Sequence, residues 1–243
     1  MPKSKKKPTG IALVLSCEHA GRRVPPAYRK LFRGQQRELT SHRGWDPGAI
    51  ELARAMSRET GAPLLANTVS RLVVETNRSV GPKLFSEFTR TLSKDARKVL
   101  IERHYAPHRG AVEAVVKSAL RTHARVVHVG VHTFTPVLNG KKRTADVGLL
   151  FDPRRKAEAD FCEVWLHALH WEAPLLRVKK NYPYKGSSDG LTTTLRGKFP
   201  ASRYVGIELE VNQALMDGPA RRWTDIPNRI ARSLALLIAV DDD

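Results

Sequence analysis

An α/β fold is predicted for this chain: one domain with a mixed, mostly parallel central sheet flanked by helices. Three observations predict it. Apolar runs too short for a helix recur along the sequence, segments of helical period separate them, and no linker or internal repeat divides the 243 residues. Ile11–Ser16 is a continuous apolar run, as in a strand buried on both faces, and it ends in the polar turn Cys17–Gly21. Asp46-Pro47 has the form of a helix start, with Asp46 as N-cap and Pro47 at the first helical position. Ile50, Leu52, Ala53, Ala55 and Met56 give that helix its apolar side, and Gly61-Ala-Pro63 stops it. Arg71–Glu75 is strand-like and leads into Thr76–Ser79. Lys94–His123 spans one long helix or two consecutive ones, with Pro107 marking a bend or a new start.

The second half continues the alternation. Arg125–His132 and Ala145–Phe151 are further strands, Arg155–Trp171 is helical, and Leu175–Val178 is extended. Asn181–Gly190 is a loop rich in Tyr, Gly, Ser and Pro. Tyr204–Val211 alternates as a strand, and Pro219–Val240 closes the chain as an amphipathic helix. Trp165, Trp171 and Trp223 are packing residues.

Composition narrows the class. With 41% hydrophobic residues the chain can bury a sizeable core. Lys and Arg number 42 against 24 Asp and Glu, a net charge of +18, so non-specific affinity for nucleic acid is expected. The basic residues are scattered, however, apart from a short arm within residues 1–9 that precedes the domain proper at 10–243. No helix-turn-helix, zinc-finger or RNA-binding signature accompanies them. No apolar run approaches the ~18 residues of a membrane helix. The N-terminal segment lacks a cleavage site, and Glu18-His19 interrupts its only apolar stretch. Cys17 and Cys162 cannot make a disulfide framework and no CxxC pair exists. The expectation is a reduced, cytoplasmic protein with no membrane partner.

Open α/β sheets carry their chemistry at the carboxyl ends of strands, and here those ends are unusually polar. Glu18 and His19 follow the first strand, Asn77 and Arg78 follow Arg71–Glu75, His132 ends a later strand, and Glu208 and Glu210 lie within the last. Two histidines and a carboxylate from separate strand ends are the minimal protein set for a catalytic zinc with an open position for water. Such an ion activates water and polarises a carbonyl, as amide hydrolysis requires. A further carboxylate, Glu210 or Glu208, would move the proton. Arg78 could clamp a substrate carboxylate through its planar fork. The spacing alone gives no HExxH or HxxE, and ordinary alternatives stand beside each residue. His19 could be a turn residue bonded to backbone, Asp46 a helix cap, Arg78 one half of a surface ion pair, and His104, His108 and His123 solvated residues on a surface helix. His128 is read as core packing and Cys17 as no nucleophile.

An ordered set of motifs adds to this reading. Ser16-Cys-Glu-His-Ala-Gly21, His42-Arg-Gly-Trp-Asp46, Ser70-Arg-Leu-Val-Val-Glu-Thr-Asn-Arg-Ser79, Val131-His-Thr-Phe-Thr-Pro136, Asp146-Val-Gly-Leu-Leu150, Asn181-Tyr-Pro-Tyr-Lys-Gly186 and Gly206-Ile-Glu-Leu-Glu-Val-Asn-Gln213 follow one another. Over about Ile11 to Gln213 the sequence resembles the N-formylglutamate amidohydrolase family, which is similar in fold and chemistry to zinc carboxypeptidases and aspartoacylases. The resemblance implies one zinc ion on His19, His132 and a carboxylate, best matched by Asp46, with Glu18 as the alternative and His42 a weaker candidate. It implies Glu210 as general base, with Glu208 the runner-up, and Asn77 with Arg78 gripping a substrate carboxylate. Glu75 stands where the family commonly carries Asp. The implied reaction is hydrolysis of an N-formyl or other N-acyl amino acid, with the exact acyl group open. The rival readings are a carboxypeptidase- or amidase-like hydrolase of peptides and a degenerate polyanion-binding protein without catalysis.

Overall fold

Side chains along a strand alternate between the two faces of a sheet, and that parity sorts this molecule. The computed structural model describes residues 8–216 and 220–239. Among the described residues the strands are β1 (Ile11–Cys17), β2 (Leu64–Ala66), β3 (Arg125–Phe134), β4 (Val137–Leu138), β5 (Lys141–Lys142), β6 (Val147–Leu150), β7 (Val178–Lys180) and β8 (Tyr204–Asn212). One mixed sheet runs in the order β2-β1-β3-β8-β6-β7, and β4 with β5 forms a separate hairpin. Strands β2, β1, β3 and β8 are parallel, whereas β6 is antiparallel to β8 and carries β7 parallel to itself. The helices are α1 (Gln36–Thr40), α2 (Ala49–Thr60), α3 (Lys94–Leu100), α4 (Ala106–Ala119), α5 (Lys156–Glu172), α6 (Leu191–Arg196) and α7 (Ala220–Ala239). None is long and apolar enough to cross a membrane.

Odd-numbered positions of the three central strands enter one core, except Arg125 and Thr133 at the ends of β3. Leu13 and Leu15 of β1, Val127, Val129 and Val131 of β3, and Ile207 and Leu209 of β8 pack there with α2, α5 and α7. Even-numbered positions face the opposite side and change character along the strand. Val14, Val126 and Tyr204 pack with Val112 and Val116 of α4 and with Leu191 and Leu195 of α6. Beyond them come Ser16, His128, His132, Glu208 and Glu210. The register sets Glu208 opposite Gly130 and Glu210 opposite His132. One face is therefore apolar but for Arg125 and Thr133 at the ends of β3, and the other turns polar toward the strand ends, where α/β sheets place their sites.

His128 marks the change of polarity. It is fully buried, with Nε2 2.8 Å from Ser16 Oγ and Nδ1 2.7 Å from the Tyr204 hydroxyl, so its role is packing, as expected. Glu158 of α5 is a second buried polar node. Its carboxylate takes hydrogen bonds from Arg196 and from the amides of Gly206 and Asp152, tying α5 to α6 and β8. A buried charge persists only when its oxygens are satisfied in this way.

The expected strands and long helices form with shifted ends, but several details differ. Arg71–Glu75 makes no strand. Its apolar residues Leu72, Val73 and Val74 fill a satellite core with Tyr28, Phe32, Leu84, Leu100 and Tyr105, so the run encodes burial and not sheet pairing. Only Val178 of the expected extended segment joins β7, and Leu175 is 93% exposed. A π-helical turn, Ile101–Tyr105, joins α3 to α4, and Pro107 sits in the first turn of α4, as a new start requires. Strand β2 and helices α1 and α6 are too short to show a period. Helix α2 begins behind Gly48, not Asp46. Gly48 has φ +80°, and a Cβ there would come 2.5 Å from Met216 Sδ, so glycine is required on both counts. Trp165 is buried and donates to Ser233 Oγ, and Trp223 packs against the main core, but Trp171 is solvent-exposed. The basic residues Lys3–Lys7 lie outside the described residues.

Burial pulls the pKa of His128 down to about 4, below the ~6.5 of a free imidazole. As pH falls through 6.5 the unfolded chain takes up a proton that the folded chain refuses, so this residue removes stability progressively down to pH 4. The expected slope is at most about 1.4 kcal/mol per pH unit. Urea midpoints between pH 7 and 4 should show that slope as the difference between the natural chain and His128→Gln. Parallel pH profiles for the two would refute the assignment.

Candidate active site

Three segments meet at the polar ends of the central strands. The turn after β1 supplies Glu18 and His19 and is fixed by its neighbours. The main-chain oxygen of Glu18 accepts from Asn67 Nδ2 (3.2 Å) and Thr76 Oγ1 (3.0 Å), and that of His19 accepts from the Asp46 amide (3.1 Å). The approach to α2 supplies Asp46, and β3 supplies His132.

His19 Nδ1 and His132 Nδ1 both face one atom, Asp46 Oδ2, at 3.1 and 2.9 Å. The outer nitrogen of each ring faces another carboxylate. His19 Nε2 lies 2.5 Å from Glu75 Oε1, and His132 Nε2 lies 3.0 Å from Glu18 Oε2. A carboxylate only accepts hydrogen bonds, so each Nε2 carries a hydrogen. In a neutral ring Nδ1 then holds a lone pair, which points at a lone pair of Asp46. Such a convergence is stable only if both rings are imidazolium or if a cation lies among the three atoms.

Charge balance gives the same result. Glu18, Asp46 and Glu75 carry three negative charges, and Arg71 contributes one positive charge through 3.2 Å to Asp46 and 2.6 Å to Glu75. The two charges left over equal one divalent ion or two ring protons. Burial pulls against every charged form here, yet the mutual attraction prevails: it raises His19 and His132 and holds Glu18, Asp46 and Glu75 below the usual carboxylate range. Ligand atoms of His19, Asp46 and His132 all lie within 4.8 Å of one another, and the three residues are buried. Donor chemistry, charge and outer hydrogen bonds thus suit a divalent metal held by these residues, with Glu75 and Glu18 orienting the rings.

Of the two carboxylates left open by the sequence, Asp46 stands in the donor set. Glu18 points away from it, between His132 and His108 Nε2 (3.3 Å). Asp46 is not a helix cap. His42 is exposed and outside the cluster. His108 is not solvated, since its side chain is 8% exposed and holds Glu18. Sequence reasoning gave Arg71 no role, read His108 as solvated and saw Glu75 only as a departure from a motif. The Arg71–Glu75 spacing was a usable signal, whereas nothing in the sequence around His108 ties it to Glu18.

Glu210 is the group left over. It is buried, and among the described residues its Oε2 has no hydrogen-bond partner. Burial pushes its pKa up to about 8, with Asp46 and Glu208 acting the same way and His132 and Arg71 opposing. Glu208 is partly exposed, and its Oε1 accepts from Asn77 Nδ2 at 3.1 Å. Asn77 Oδ1 accepts from the Leu191 amide at 2.8 Å. One guanidinium nitrogen of Arg78 donates to the main-chain oxygens of Asn77 and Asp189 (2.9 and 2.6 Å), and among the described residues no carboxylate engages it. These residues line a cleft of about 190 Å³ whose far wall is the 181–190 loop, through Tyr184, Lys185, Ser188 and Asp189. Cys17 is buried and its thiol is raised well above its ordinary value by burial, which suits the expectation that it is no nucleophile.

Comparison with known proteins covers most of the chain. The family model for N-formylglutamate amidohydrolase matches residues 11–216. No curated protein matches the sequence. Among solved structures, a gene product of Agrobacterium tumefaciens is 26% identical with a TM-score of 0.79, over 95% of this chain and 92% of that one. An N-formylglutamate amidohydrolase from Ralstonia eutropha is 19% identical with a TM-score of 0.69, over 97% and 96% of the two chains, a likeness of fold. A metallo-carboxypeptidase from Burkholderia cenocepacia overlaps more loosely, at 9% identity and a TM-score of 0.41, over 99% of this chain and 59% of that one.

Calorimetric titration with a divalent metal should separate the inner and outer carboxylates. Asp46→Ala should abolish stoichiometric binding, whereas Glu18→Gln and Glu75→Gln should each weaken it roughly 10- to 100-fold. Unchanged affinity in Asp46→Ala would remove the donor set from consideration.

Proposed function

The chain belongs to the N-formylglutamate amidohydrolase family, and we propose that it is a zinc-dependent enzyme hydrolysing the amide of an N-formyl or N-acyl amino acid. The observation that carries this reading is the unpartnered, buried carboxylate oxygen of Glu210 beside two imidazoles that share Asp46. One zinc ion on His19, Asp46 and His132 would polarise the amide carbonyl, acidify an adjoining water and draw Glu210 below the pKa that burial gives it.

The remaining work falls to side chains. Glu210 takes a proton from the attacking water at Oε2 and returns it to the departing amine nitrogen, so the proton count closes within one turnover. A group that must both accept and release a proton works best near neutral pKa; burial raises Glu210 from the ordinary carboxylate range and a cation beside it would pull it back down, two effects that oppose one another. Glu208, tied to Asn77, is the less free of the two acids and helps set the charge around Glu210. Arg78, with Asn77 beside it, orients the substrate carboxylate, since its fork is not committed to an acid. The cleft volume of about 190 Å³ suits a single derivatised amino acid better than a polypeptide. Two free, buried cysteines fit a reducing compartment, and we place the enzyme in the cytoplasm.

Purified protein is expected to contain about one zinc per chain and to hydrolyse N-formylglutamate or a related N-acyl amino acid in a chelator-sensitive way. A panel that also includes short peptides tests the substrate class, and hydrolysis of peptides alone would overturn it. Glu210→Gln should keep its metal and fold while kcat falls about 10²- to 10⁴-fold; full activity would transfer the proton role to Glu208. Arg78→Lys should raise KM by about tenfold or more with a smaller change in kcat, the cost of a two-pronged charged contact.

A further inference from the structure

A second concavity lies behind Glu18, on the side away from the cleft. It opens between the edge strand β2 and the π-turn with the start of α4, and its volume is about 350 Å³. Arg23 reaches it from the loop after β1, and Arg103, His104 and His108 reach it from one helical stretch; no acidic residue lines it. Unpaired surface cations are plentiful in a chain of charge +18. What sets this place apart is that two guanidiniums and two imidazoles enclose a hollow from different segments.

Neither arginine is neutralised. Among the described residues the Arg23 side chain makes only a long hydrogen bond, Nε to Thr68 Oγ1 at 3.5 Å, and neither it nor Arg103 has an ion-pair partner. His104 is held edge-on against Tyr28, with ring centroids 5.8 Å apart. Its pKa is lowered first by burial and further by the charges of Arg23 and Arg103. His108 faces Glu18 with Nε2, which fixes the ring at the back of the hollow.

We propose that this hollow binds a phosphate group between the guanidiniums of Arg23 and Arg103, beside the imidazole of His104, with His108 closing its floor through its bond to Glu18. Planar, always-charged forks match the geometry of phosphate oxygens, and the His104 ring can add an N–H donor. The site is separate from the hydrolytic cleft, since Glu18 and His132 lie between them. A free phosphate ion and the phosphomonoester of a small metabolite share the required chemistry.

Calorimetric titration of the full, metal-loaded chain decides it, using inorganic phosphate, a nucleoside monophosphate, and chloride at matched ionic strength. Saturable binding of one or both phosphate species is expected, and the tighter of the two identifies the source. Affinity should drop at least about tenfold in the Arg23→Ser, Arg103→Ser double variant. It should be unchanged in Lys141→Ser, Lys142→Ser, which removes the same charge from the exposed β4–β5 hairpin. Both arginine side chains are exposed, and a melting curve checks that the first double variant is folded. Absence of saturable binding, survival of binding in the arginine variant, or equal loss in both variants would overturn the proposal.

Discussion

One carboxylate oxygen facing two imidazole nitrogens governs the working end of this protein. Asp46 Oδ2 lies between His19 and His132, and that arrangement cannot hold unless positive charge is placed among the three. Much of the local structure follows from it. Asp46 cannot also cap α2, so the helix begins one turn position later, behind a left-handed glycine. The rings must be prevented from rotating, so each is backed by a second acid, and the excess acid must be balanced, so Arg71 bridges Asp46 and Glu75. Removing one member of so buried a cluster leaves its partner charged and alone, a loss of several kcal/mol in comparable cases.

The sheet tolerates this density of charge because polarity is confined to one face and one end of it. Residues of odd parity in β1, β3 and β8 join the main core with α2, α5 and α7, and the chain's stability rests on them. Residues of even parity are apolar only where α4 and α6 cover them. The unpaired oxygen of Glu210 lies at the boundary, opposite His132 in the ladder. Local sequence rules fail most visibly where a site is built, and here the breach is two glutamates in an otherwise apolar strand.

The central strands and long helices were legible because burial on both faces and amphipathic period leave direct marks. His19, His132 and Glu210 were legible for a related reason, since ionisable residues at the ends of apolar runs require an explanation. Arg71–Glu75 misled, because an apolar triplet buried by a satellite core has the same composition as a strand. Asp46 was ambiguous in sequence between cap and ligand; the structure rules out the cap and sets its carboxylate between two distant rings, a position no local pattern encodes. The link from His108 to Glu18 depends on how α4 packs over β1, and no spacing rule encodes that contact.

The wall of the cleft formed by residues 181–190 is stitched down along its length. Asn181 Oδ1 accepts from the amides of Phe151 and Gly186, the Tyr182 hydroxyl accepts from the Thr144 amide, and the Asp189 carboxylate accepts from the amide and hydroxyl of Ser79. A Cβ at Gly148 would come within 1.8 Å of the Tyr182 carbonyl oxygen, so backbone rests on backbone with no slack. The side chains of Tyr184, Lys185, Ser188 and Asp189 line the cleft from this frame. Exchanging one of them would reshape the lining while the hydrogen-bonded backbone beneath it stays a fixed jig.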